Sequence, residues 1–178
     1  MSDLILTKNF FLKYGLESLN LTLGFRTGFI FIDLDSFHSL KDVLEALRSE
    51  EIRDNLNICL VGSGSVNYKV LNVFNPIALR ESVVEIRNIF STRKFHKLSE
   101  LVRYIYSIER LSMLTNRERE SVLIFKKAGS VNVVSKHMKL TEKTMYTLLR
   151  SACNKINLKR LIQLRKFLSS NSFVSNER

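Results

Sequence analysis

The chain has 178 residues, with 28 Lys and Arg against 17 Asp and Glu, giving a formal net charge of +11. It is 45% hydrophobic and 25% charged, a globular composition with length for one large domain or two small ones, and neither disordered nor low-complexity. Cys59 and Cys153 sit far apart on apolar segments, and His38, His96 and His137 are scattered singly. No apolar run approaches the length of a membrane span. The first residues show no basic stretch followed by a small-residue cleavage site. A secreted disulfide scaffold, an integral membrane protein and most metalloenzymes are therefore excluded, and a cytoplasmic protein with no cofactor and no metal is expected.

The charge is segregated. Residues 1–90 hold 9 Lys and Arg against 11 Asp and Glu, whereas residues 91–178 hold 19 against 6. The whole basic excess lies in the second half, which marks a separate module facing a polyanion. Nucleic acid is the favoured polyanion over a membrane surface.

In the first half, short apolar runs alternate with helical patterns. Leu4-Ile5-Leu6 is a strand candidate. Residues 9–20 read as a helix, with Phe10, Phe11, Tyr14 and Leu16 near one face. Phe29-Ile30-Phe31-Ile32, ending at Asp33, suits a strand buried on both faces. Ser39 to Glu51 follows as a helix with Leu40, Val43, Leu44 and Leu47 at helical spacing. Ile58-Cys59-Leu60-Val61 is a second buried run, closed by Gly62-Ser63-Gly64-Ser65. Val70 to Phe74 reads as another short strand, closed by Asn75 and Pro76. Residues 77–90 read as a helix with Leu79, Val83, Ile86 and Phe90 on one face. Strand alternating with helix predicts a small parallel sheet with helical crossovers.

Residues 91–97 are polar and basic, a domain boundary by composition. From Leu98 onward only helices are expected. Leu98 to Met113 carries Leu101, Tyr104, Ile105, Ile108 and Leu111 on one stripe, a connecting or dimer-forming helix. Thr115-Asn116-Arg117-Glu118 is a capping box, and the Arg117 to Glu120 run reads as a mostly solvated helix start. That helix ends at Ala128-Gly129. Ser130 is expected to cap a short helix over 131–138, and Lys139-Leu140 to form a tight turn. Thr141 caps the next helix, with Leu140 and Met145 at hydrophobic-staple positions. Met145, Leu148, Leu149, Ala152, Cys153 and Ile156 make its core stripe. Lys143, Tyr146, Thr147, Arg150, Ser151 and Asn154 lie opposite. Asn157 is expected to cap a last helix, with Leu158, Leu161, Ile162 and Leu168 inward.

A short helix, a tight turn and an amphipathic helix with a basic outer face is a helix-turn-helix. A helix entering the major groove must offer donors and acceptors to base edges, while its flanks offer cations to phosphates. Two linked stretches carry a family resemblance: Leu114-Thr-Asn-Arg-Glu-Arg-Glu120 and Leu140-Thr-Glu-Lys-Thr-Met145. They resemble the LuxR-type (LuxR/FixJ) DNA-binding domain over roughly residues 113–170. The resemblance implies that Lys143 touches phosphate, that Thr144 packs or bonds near the backbone, and that Tyr146, Thr147, Arg150 and Ser151 meet DNA. Lys136, Asn154 and Lys155 complete the candidate DNA-binding set. Lys139 stands where the family usually has Gly, and is expected to need a left-handed conformation at a cost of roughly 1 kcal/mol. Leu148 and Leu149 stand where His and a polar residue are common.

The first half resembles a shortened receiver domain of response regulators. Asp33 fits the phosphoacceptor position and Ser63 or Ser65 the hydroxyl. Thr7-Lys8 stands where an acidic pair is usual, and Asn75-Pro76 where Lys-Pro is usual. Without the acids no Mg²⁺ site forms, and without the Lys a phosphoaspartate loses its counter-ion. The resemblance is to atypical, phosphorylation-independent LuxR-type regulators of enteric bacteria, some of which control capsule or fimbrial genes and pair with another regulator.

Blander roles stand beside several of these. Asp33 and Asp35 suit helix capping, and His38 and His137 suit exposed surface. Gly62 to Val66 lacks the ending of a phosphate-binding P-loop and suits an ordinary strand-to-helix turn. Cys153 suits the core. No nucleophile–base pair marks an enzyme. The expected organisation is a degenerate receiver-like α/β domain (1–92), a linker helix (93–112) and an all-α four-helix helix-turn-helix domain (113–178). Its expected partners are double-stranded DNA, a second copy or another LuxR-type regulator, and RNA polymerase, with no membrane. The alternatives are an auxiliary interaction protein acting through a heterodimer with another regulator, and a phospho-switched response regulator using Asp33.

Overall fold

In a computed structural model of the chain, residues 4–23, 28–49, 56–171 and 173 are described. They form two compact units, 1–103 and 104–178.

The first unit is α/β. Its sheet has four parallel strands, β1 (Leu4–Leu6), β2 (Phe29–Asp33), β3 (Asn57–Gly62) and β4 (Ile77–Ala78), in the order β1-β2-β3-β4. The helices are α1 (Phe10–Leu23), α2 (Leu40–Ser49), α3 (Val66–Val70) and α4 (Val83–Thr92). β2 is buried along its whole length, as an unbroken apolar run in a parallel sheet requires.

Alternation along β2 and β3 assigns side chains to faces. Phe29, Phe31, Cys59, Val61 and Ile77 share a cluster with Leu16 and Leu19 of α1, closed by Ile86, Ile89 and Phe90 of α4 and by Phe95. Phe29, Phe90 and Phe95 form its aromatic centre, with centroids 4.8–5.4 Å apart. Ile30, Ile32, Ile58 and Leu60 have the opposite parity and are equally buried. Leu40, Val43, Leu44 and Leu47 of α2 are buried as well, and none of them belongs to the first cluster. Burial of each such side chain contributes roughly 1.5–3 kcal/mol.

Four expectations for this unit are corrected. Phe10, Phe11 and Tyr14 are 64%, 86% and 56% exposed, and the buried face of α1 is Leu16 and Leu19. Val70 to Phe74 is not a strand: α3, capped by the Ser65 hydroxyl, runs into a 3₁₀ turn over Leu71–Phe74. The fourth strand is instead Ile77–Ala78, so no helix spans 77–90. α4 starts only at Val83, after a Ser82–Glu85 capping box, and Leu79 and Val83 are exposed. The end of the expected 39–51 helix lies outside the described residues.

Helix α5 (Leu98–Glu109) carries the chain across the division between the units. It stops short of Met113 because Leu111 turns left-handed, with φ 49°.

Among the described residues the second unit is all helical: α6 (Asn116–Ala128), α7 (Val131–His137), α8 (Glu142–Lys155) and α9 (Leu161–Ser170). The Thr115–Glu118 capping box starts α6, and Gly129 ends it at φ 66°. α8 starts at Thr141, whose hydroxyl accepts from the Thr144 amide. Val122, Phe125, Val134, Met145, Leu149, Ala152, Cys153, Ile156, Leu164, Phe167 and Leu168 form the core. The α8 stripe is buried as expected, except that Leu148 is half-buried.

Lys139 does adopt the left-handed conformation, at φ 53°. Ser130 stands at the N-cap of α7 but makes no capping bond with its side chain. Asn157 does not cap the last helix. It turns left-handed at φ 59°, α9 begins after Arg160, and Ile162 is 56% exposed.

Candidate nucleic-acid interface

The outward face of α8 begins at the Lys139 turn. Tight closure there, with the Leu140 amide donating to the Ser135 carbonyl at 2.9 Å, sets α8 against α7. The Asn132 side chain donates to Glu142 and ties the two helices again. Lys143, Tyr146, Thr147, Arg150 and Asn154 then recur at helical spacing and are all exposed, forming one continuous strip. Tyr146 is 49% exposed. Lys136 is exposed on α7. Thr147 donates its hydroxyl to the Lys143 carbonyl at 3.0 Å, and Thr144 pairs with the Thr141 hydroxyl at 2.9 Å. Both threonines thus serve the first turns of their own helix while remaining exposed.

Ser151 and Lys155 are placed elsewhere. The Ser151 hydroxyl donates to Glu118 Oε1 at 2.7 Å, and Lys155 Nζ approaches Glu118 Oε2 at 2.7 Å. Glu118 is not solvated, as the run it belongs to suggested, but 4% exposed. Its carboxylate also takes the Thr115 amide and hydroxyl. Burial pushes this carboxyl up, but the Lys155 ammonium, the Ser151 hydroxyl and the Thr115 donors together bring it down to about 2. A single carboxylate therefore locks the start of α6 to the last turns of α8.

Sequence reasoning did not include Lys159 and Arg160. Both flank α8, where Tyr146, Arg150, Cys153, Lys159, Arg160 and Leu161 line a cleft of about 440 Å³. The signal was present as a Lys-Arg pair just after the Asn157 turn.

The other candidate site is the carboxyl end of the first unit's sheet. Asp33 is 4% exposed. Its Oδ2 accepts from the Thr7 hydroxyl at 2.7 Å and the Ser36 hydroxyl at 2.6 Å, and its Oδ1 from the Asp35 amide at 3.1 Å. Thr7, at the position expected to carry acids, thus supplies a proton donor instead. Asp35 accepts from the Ser63 amide and hydroxyl, both at 2.6 Å. Burial raises its carboxyl, but the Ser63 and Ser65 donors together hold it below the usual range. Asn75 turns left-handed at φ 50°, and its carbonyl takes the Arg93 guanidinium at 2.6 Å. Both aspartates do the capping and loop work that was one of their expected roles. Ser65 caps α3, so the Gly62 to Val66 loop is a strand-to-helix turn. Burial pushes the Cys153 thiol up to about 11.

No protein-family model and no curated protein sequence matches the chain. Solved structures do. One is a complex of the two-component response regulator RcsB with DNA: TM-score 0.58, 15% identity, over 96% of this chain and 98% of that one. A second is RcsB from Salmonella enterica serovar Typhimurium bound to the promoter rprA with the phosphomimetic BeF3⁻: TM-score 0.60 and 15% identity over the same shares. A third, two RcsB dimers bound to two parallel DNAs, gives 0.59 and 14%, again over 96% and 98%. The small parallel sheet with its helices, followed by the helical second unit, is in fold a receiver-like domain joined to a helix-turn-helix domain, as in the response regulator RcsB.

Proposed function

We propose that this chain is a transcriptional regulator that binds duplex DNA by docking α8 in the major groove. The observation that carries this reading is the exposed strip Lys143, Tyr146, Thr147, Arg150 and Asn154 on the second helix of a helix-turn-helix. Lys143 and Lys136 meet phosphates, and Tyr146, Thr147, Arg150 and Asn154 face base edges, with Thr144 near the backbone. Ser151 and Lys155 contribute by fixing α8 through Glu118. The RcsB structures, which include DNA complexes, support the reading through the shared fold. The working divisions are a receiver-like 1–92, a linker helix 93–112 and a DNA-binding 113–178. The functional species is a dimer, with a second copy or another regulator of the same type, in the cytoplasm, and it performs no chemistry.

The receiver-like unit acts without phosphotransfer. Supporting this, the Asp33 carboxylate is buried and already holds three hydrogen bonds. Attack on a phosphodonor would have to break that set with no acidic pair to recruit Mg²⁺. The test of the main reading is fluorescence anisotropy of the full chain with a labelled duplex at several salt concentrations. Salt-sensitive saturable binding is the expected result, and failure to bind any duplex at low salt overturns it.

A further inference from the structure

The cleft beside α8 gathers three cationic side chains. Arg150 projects from α8, Lys159 lies in the turn that follows, and Arg160 stands at the head of α9. All three are exposed, and the described ion pairs involve none of them. Tyr146 adds a half-exposed ring. Three cations around one concave site repel each other unless an anion joins them. The two amides beside the cations are engaged elsewhere. The Lys159 and Arg160 amides already donate to Gln163 Oε1, at 2.9 and 3.2 Å, so these two residues meet an anion with their side chains. An arginine fork and an ammonium suit phosphate oxygens.

We infer that this cleft seats a backbone phosphate of the duplex on which α8 docks, with Lys159 and Arg160 as the anchor and Arg150 shared between phosphate and groove. The inference rests on the DNA-binding reading and extends it beyond the recognition helix. It places a sequence-blind contact at the rear of α8, opposite the Lys143 contact at its front. Two phosphate contacts at the ends of one helix fix its axis along the groove, where a single contact leaves it free to swing.

Phosphate contacts ignore sequence, so the test needs no operator. The full chain and a Lys159→Gln/Arg160→Gln double variant are titrated with a labelled 30-base-pair duplex of mixed sequence at several chloride concentrations. Equal thermal melts establish that the exposed substitutions leave the fold intact. The expected result is a log–log salt slope shallower by about 1 for the variant, since the cleft neutralises one phosphate and each neutralised phosphate contributes about 0.9. Lys159→Arg should keep the wild-type slope. If the wild type binds with a steep slope and the double variant matches it, the cleft is no anchor and the inference falls alone. If the wild type shows no salt-dependent binding, the DNA-binding reading itself fails. A third arm replaces chloride by inorganic phosphate at equal ionic strength. Equal displacement is expected. Selective displacement of the duplex from the wild type, but not from the variant, would mark a receptor for a free anion and overturn the assignment.

Discussion

Glu118 does three jobs with one carboxylate. It closes the capping box, accepts from Ser151 and pairs with Lys155. Its folded carboxyl sits near 2, below its unfolded range near 4.3. The unfolded chain therefore takes up the proton first as pH falls. The stabilisation is complete above about pH 4.5 and is lost progressively towards pH 2. It amounts to roughly 2 kcal/mol once solvent around the partly exposed Lys155 is allowed for. Glu118→Gln should lower the thermal midpoint at pH 7 by several degrees and flatten its decline between pH 4.5 and 2, as calorimetry will show. An unchanged acid profile would remove Glu118 from this role. The carboxylate was legible in the sequence as a cap. Its reach to Ser151 and Lys155 was not, because those partners lie 33 and 37 residues away and no local pattern records them. Asp33 makes a second case at this scale. Asp33→Ala should leave DNA binding largely intact while costing about 1–2 kcal/mol for the lost cap. A folded Asp33→Ala protein that no longer binds, together with Mg²⁺-dependent labelling of the wild type by acetyl phosphate, would restore phosphotransfer.

Among the elements, α8 was the most legible. Its cap, its apolar stripe and the left-handed Lys139 before it all follow from short-range pattern, where a few residues decide the outcome. Leu149 is fully buried, and Leu149→Ala should destabilise the second unit by roughly 2–4 kcal/mol in urea unfolding. Lys139→Gly should act in the opposite direction, stabilising it by up to about 1 kcal/mol by relieving the left-handed strain with little change in the salt slope. The segment 70–74 was misread for a physical reason. Val70, Leu71, Val73 and Phe74 have strand composition, but the Ser65 cap commits the chain to helix five residues earlier, and such a run cannot be told from a buried helix by periodicity. The aromatic face of α1 failed similarly. Phe10, Phe11 and Tyr14 pack on one another, at 4.3 Å for the Phe10–Tyr14 pair, and their apolarity does not reveal that the sheet takes Leu16 and Leu19 instead.

For the molecule as a whole, the segregated charge sets the strongest expectation. If about five phosphates are neutralised, the logarithm of the duplex affinity should fall with log salt at a slope near −4 to −5. A slope near zero would count against nucleic acid as the ligand. The alternation of strand and helix made the α/β class legible at this scale. The strand order was not legible, because it is written in no single segment. That order has a further consequence. β1 stands at the edge of the sheet, held by β2 alone, and is only three half-buried residues long. The β1–α1 segment should therefore be the weakest cooperative unit of the first domain, opening on its own while β2 and β3 stay closed. Native-state hydrogen exchange should show residues 4–19 losing protection well before residues 29–33 and 57–62. The pairing of Leu4 with Ile30 and of Leu6 with Ile32 would then be the last part of the sheet to form and the first to let go.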